Sequence, residues 1–160
     1  MRQMLRGVPK SWFSNAYKLL ENNTTIAIVD LSHWREAGKL TIKGSTYRVY
    51  REGLMSGSFL LEDGTGSILA RAEKPSALYR SFLVEHGGRI YTLEAESTWL
   101  RKFILSAGGM QIGSVYPEHS LTRKSVVELP DEIPLAVRVF MFWLVMILWK
   151  RASDSSSAGS

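Results

Sequence analysis

Residues Val139–Trp149 form a run of eleven consecutive apolar residues near the C-terminus of a chain that otherwise alternates between apolar and polar. A helix that is apolar on every face must be buried on every face, either in lipid or inside its own protein. The run covers only about 16 Å of helix, roughly half of a hydrocarbon core. Extending it back to Leu135 takes in Arg138, and a cation at that depth costs a few kcal/mol. Lys150 and Arg151 then follow, on the side that a tail anchor would have to send across the bilayer, against the positive-inside tendency. Length and charge therefore favour a helix buried in protein, and a tail-anchored single-pass protein with a cytoplasmic β-domain is the alternative.

The rest of the chain supplies what such a helix would need around it. Between residues 24 and 128, short runs of strand character are separated by glycine-bearing turns, the pattern of an antiparallel meander. Phe59, Phe82 and Phe103 each open a strand that runs into a tight turn, at Asp63-Gly64-Thr65-Gly66, Gly87-Gly88 and Gly108-Gly109. Strands are expected at 17–21, 24–31, 39–43, 46–52, 121–129 and in the three hairpins between, about ten to twelve in all. A sheet of that size tends to close, because an open edge is a hazard. Ala27, Ala70, Ala72, Ala95 and Gly113 would leave room inside, with Ile68 on the same face as Ala70 and Ala72. The expected fold is mainly β: a closed antiparallel barrel enclosing the C-terminal helix.

One domain is expected over residues 12–151, with its central helix at 131–151. A basic segment, 1–11, precedes it and a disordered serine-rich tail, 152–160, follows. Asp131 and Glu132 read as residues at the positive end of the helix. The pairs Trp12-Phe13 and Trp34-Arg35 read as packing residues or barrel-end plugs. Asn22 and Asn23 match a glycosylation pattern but read as turn residues.

The chain has no cysteine among its 160 residues, which excludes disulfides, thiolate metal sites and a cysteine nucleophile. His33, His86 and His119 are scattered and show no metal-ligand spacing; His86, in a turn, and His119, in a loop after Pro117, read as exposed loop residues. No phosphate-binding loop and no nucleophile elbow is present. The expectation is a protein that is not an enzyme and uses no cofactor and no metal.

A net charge of +5 permits attraction to anions. Cations pair up at Arg71 and Lys74, Arg101 and Lys102, and Arg123 and Lys124, with Trp99 and Tyr116 close in sequence. These six are the candidate contacts to an anionic phospholipid or membrane surface, set against the plainer reading of a solvated face. No specific nucleic acid partner is expected.

The order of elements, the Phe-x-x-x-x-Gly-Gly-like hairpins and the ending Leu129-Pro130-Asp131-Glu132-Ile133-Pro134-Leu135 before the apolar run resemble the tubby C-terminal-like superfamily. That group includes tubby domains, LURP-one-related proteins and phospholipid scramblases. The resemblance covers residues 12–151 and implies a twelve-stranded barrel around a hydrophobic C-terminal helix. It carries no ligand residue across: the chain lacks the cysteines and proline-rich segment of scramblases, and no tubby lipid-contact residue can be aligned. The functional expectation is a monomeric module, cytoplasmic or peripheral to the membrane, that binds anionic phospholipid headgroups.

Overall fold

The computed structural model describes residues 2–32, 35–53, 55, 57–75, 79–97 and 101–157. Its strands are β1 (Arg2–Pro9), β2 (Ala16–Glu21), β3 (Thr24–Leu31), β4 (Ala37–Ile42), β5 (Ser45–Arg51) and β6 (Ser58–Glu62) in the first half. The second half holds β7 (Ile68–Glu73), β8 (Ser81–His86), β9 (Arg89–Ala95), β10 (Phe103–Ala107), β11 (Met110–Pro117) and β12 (Ser125–Pro130). Each strand pairs antiparallel with its neighbours in sequence, and β1 closes the ring on β12 with Arg2 opposite Pro130 and Gly7 opposite Ser125. The result is a closed antiparallel barrel of twelve strands, and among the described residues no strand is left with an unpaired edge.

The helix α1 (Leu135–Ser157) fills it. From Ala136 to Leu148 every residue is buried, and the inward residues of the strands, among them Leu19, Val29, Leu61, Phe82, Leu93 and Val127, join the helix in one core. Strands such as β8 and β9 alternate inward and outward, each burying two residues on the side of the helix. Phe59 meets Phe82 and Trp143 edge-on at centroid distances of 5.3 and 5.9 Å, and Phe140 stacks on Trp143 at 6.0 Å. Such pairs contribute beyond their burial alone.

Space for the largest side chains comes from glycines pointing inward. A Cβ at Gly7 would collide with Ser125 Oγ and lie 2.8 Å from Phe142 Cζ; one at Gly38 would lie 2.6 Å from the Asp30 carbonyl and 3.3 Å from Trp143 Nε1. Ala27, Ala70 and Ala72 are buried as expected, and Ala95 packs against the core. Ile68 instead points outward, because the ladder shifts between Leu61 and Glu62 and reverses the face of the residue before the bulge.

Several boundaries differ from the sequence reading. The basic segment 1–11 is not a separate arm: residues 2–9 are a barrel strand, with Leu5 inward. The helix begins at Leu135 rather than 131, since Pro130 to Pro134 form a tight turn in which Ile133 N–H donates to the Pro130 carbonyl. It continues to Ser157, so residues 152–157 of the expected tail are helical. Asp131 is not a helix-terminal residue but lies 3.9 Å from the Arg138 guanidinium. His86 is half-buried at the end of β8, with Nδ1 2.7 Å from the Leu69 carbonyl, whereas His119 is exposed. His33, Trp34 and Trp99 lie outside the described residues.

Arg138 is the one charged residue in the buried part of the helix, and it is satisfied internally. Its Nε donates to the Ile133 carbonyl at 2.8 Å and its Nη1 to Gln3 Oε1 at 2.7 Å. Burial pushes its pKa down, while Asp131 and Glu21 oppose that shift.

Candidate functional site

An up-and-down barrel puts alternate connections at opposite ends. Here the two sets are unequal. Tight turns at 22–23, 43–44, 63–67, 87–88 and 108–109 gather at one end, with the 131–134 turn that feeds the helix. Connections at 10–15, 32–36, 52–57, 74–80, 96–102 and 118–124 gather at the other, where the helix emerges. The turn end is built from residues at positive φ, such as Asn22, Asn23, Gly87 and Gly88, which close two-residue hairpins.

The two ends also differ in charge. Among the described residues of the long connections stand eight cations, Lys10, Arg35, Lys74, Arg80, Arg101, Lys102, Arg123 and Lys124, against the four carboxylates Glu36, Glu52, Glu96 and Glu118. Lys150 and Arg151 add to them from the emerging helix. The turns at the opposite end carry Lys43 against Asp63, Asp131 and Glu132. The barrel is therefore polarised along its axis, with a basic loop end and an acidic turn end.

Five of the six candidate cations lie at the loop end. Arg71 does not: it sits on the outer wall in β7, with Nη1 2.7 Å from Glu52 Oε2. Lys74 Nζ donates to the Tyr79 carbonyl at 2.5 Å, and its pKa is pushed down, chiefly by burial and further by Arg151. Arg101 lies 5.1 Å above the Trp149 ring, whose Nε1 donates back to the Arg101 carbonyl at 2.9 Å. Lys102 Nζ is 3.5 Å from Glu96 Oε1 and 5.9 Å from the Tyr116 ring centre. Arg123 stacks over Tyr17 at 5.4 Å and donates to the Trp12 carbonyl at 2.7 Å and the Ser14 carbonyl at 2.9 Å, tying two neighbouring loops together. Lys124 is exposed.

Lys10, Arg35, Arg80, Lys150 and Arg151 were not foreseen as parts of one site. They are scattered in sequence: Lys10, Arg35 and Arg80 each lie beside a strand end on the same side, and Lys150 and Arg151 arrive there with the helix. Glu36 organises the helix exit: it accepts from Arg151 Nε at 2.7 Å and Nη2 at 2.6 Å, and from Arg51 Nη1 at 3.1 Å. Beside it a groove of about 240 Å³ runs between Leu31, Arg35, Met146, Lys150 and Arg151. Arg80 is half-buried and its pKa is lowered by burial and then by Arg101.

Trp12 and Phe13 do not plug or pack the barrel. They are 83% and 91% exposed at the loop end, together with Met55 at 96%, Tyr79 at 70% and Leu121 at 96%. Sequence reasoning missed this because an aromatic pair before a strand ordinarily belongs to a core. The signal it lacked was the position of the pair in a connection of the longer kind.

Among the described residues no three His, Asp or Glu side chains are grouped as metal ligands, and no helix is long and apolar enough to cross a membrane. The apolar run that raised the anchor alternative is enclosed by strands. No protein-family model, curated protein or solved structure matches this chain.

Proposed function

We propose that this chain is a non-enzymatic, monomeric barrel module of the tubby-like type that docks its loop end on an anionic phospholipid surface, as a cytoplasmic protein at the membrane periphery. The observation that carries the reading is the axial separation of charge: eight cations against four carboxylates in the long connections, one against three in the turns. Cations held at one end orient the molecule in the field of an anionic leaflet, and each contributes about 1 kcal/mol near the surface. Lys74, Arg101, Lys102, Arg123 and Arg151 are each held by a local contact, so the surface meets a partly preformed array. The tubby-like assignment is supported by the twelve-stranded ring around a C-terminal helix.

The reading is tested by co-sedimentation with vesicles of phosphatidylcholine alone and of phosphatidylcholine with about one part in four phosphatidylserine. Binding is expected only to the anionic vesicles, weakening with salt and with Arg101→Glu combined with Lys102→Glu. Lys43→Glu combined with Arg89→Glu, at the turn end, reverses the same amount of charge and should bind like the parent. Equal partitioning to both vesicle types, or equal loss from reversal at either end, would end the proposal.

A further inference from the structure

We infer that the loop end also inserts its apolar tips into the headgroup and upper acyl region of that bilayer, so that contact is interfacial rather than purely electrostatic; this rests on the docking proposed above. Five large apolar side chains are more than two-thirds exposed there: Trp12, Phe13, Met55, Tyr79 and Leu121. Ring order places them on two opposite sides. The 10–15 and 118–124 connections are neighbours and carry Trp12, Phe13 and Leu121; the 52–57 and 74–80 connections are neighbours across the ring and carry Met55 and Tyr79.

Two of these tips, Trp12 and Tyr79, have their backbone carbonyls held by a basic side chain. Arg123 fixes the first pair of loops through the Trp12 and Ser14 carbonyls. Lys74 links Gly57 and Tyr79 in the second, its backbone N–H donating to the Gly57 carbonyl at 3.0 Å and its Nζ to the Tyr79 carbonyl. Fixing the loops beforehand removes part of the ordering cost of binding.

The partition into two separated apolar feet with cations between them favours a bilayer over a protein partner. A protein interface concentrates its apolar residues in one central patch ringed by polar ones. A bilayer accepts aromatic and aliphatic tips at separate points of one plane, with Trp and Tyr suited to the headgroup level and cations meeting the phosphates. The charge at this end matches an anionic leaflet, and the acidic turn end would be repelled by it.

Because the chain has no cysteine, single labels can be placed without other changes. An environment-sensitive fluorophore is attached at Trp12→Cys, Met55→Cys or Leu121→Cys, with Ile90→Cys at the turn end as control. On anionic vesicles the three loop-end labels should shift to the blue and become shielded from an aqueous quencher, while the label at 90 stays unchanged. Sedimentation of the protein with labels that remain water-like would overturn insertion while leaving electrostatic docking intact. Failure to sediment would overturn docking and insertion together. A blue shift without vesicles that grows with protein concentration would point to a second copy as the occupant and overturn the inference.

A second variant needs no label. Trp12→Ser with Phe13→Ser removes two exposed side chains, so folding should be unaffected. At about 0.5 M salt, where charge attraction is screened within a few ångströms, the parent should keep measurable binding and the variant should bind about tenfold more weakly or worse. Equal binding of the two proteins would overturn insertion.

Discussion

At the scale of single residues, the fit between helix and barrel turns on side chains that are absent as much as on those present. Phe142 lies where Gly7 leaves space, and Trp143 where Gly38 does. Gly7→Val should therefore destabilise the fold by about 1–3 kcal/mol, the usual penalty for overpacking a filled core. Denaturant unfolding checks this, and Gly7→Val combined with Phe142→Leu should recover part of the loss. A Gly7→Val protein as stable as the parent would mean that the helix does not press on β1 there. Nothing in the sequence marked Gly7 as an inward residue. Its neighbours Arg6 and Val8 disguise the alternation, and with glycine at the inward position the period-two signal fades. Arg138 was legible in part: its charge counts against a lipid-buried helix from sequence alone. Its acceptor on Gln3 was not, since the two residues are 135 positions apart.

At the scale of elements, the helix and the strands depend on one another. The strands leave an interior too wide to be filled by their own inward residues, and the helix has no polar face to turn to water from Val139 to Leu148. Removing residues 135–157 should abolish cooperative thermal unfolding and expose apolar surface to a hydrophobic dye. A remainder that stays soluble with a sharp transition would show that the barrel closes without its core. Most of the strands were legible because hairpins announce themselves through alternation and glycine turns, as at Phe82–Gly88. The helix start was less so: Asp131, Glu132 and Pro134 carry N-terminal helix signals, yet tertiary packing of Ile133 at 2% exposure makes these residues a turn. The helix end was missed because serine is a weak helix breaker. Ser155 and Ser156 bond back to the carbonyls of Arg151 and Ala152, at 2.9 and 3.0 Å, and so stay within the helix.

At the scale of the whole molecule, the proposed docking rests on the alternation of short and long connections. Sequence alone showed pairs of cations, at Arg101 and Lys102 or Arg123 and Lys124, but not that Lys10, Arg35 and Arg80 join them. That requires knowing which connections share an end, and so requires the ring to be closed. Once β1 is known to pair with β12, the order follows: the same closure that encloses the helix separates a basic end from an acidic one.

One-ended docking is tested most directly by amide hydrogen exchange of the unmodified chain, free and on anionic vesicles. Exchange should slow in the 10–15 and 118–124 connections on vesicles and stay unchanged in the turns at 43–44, 87–88 and 108–109. Slowing at both ends alike, or only along the strands of the barrel wall, would contradict it.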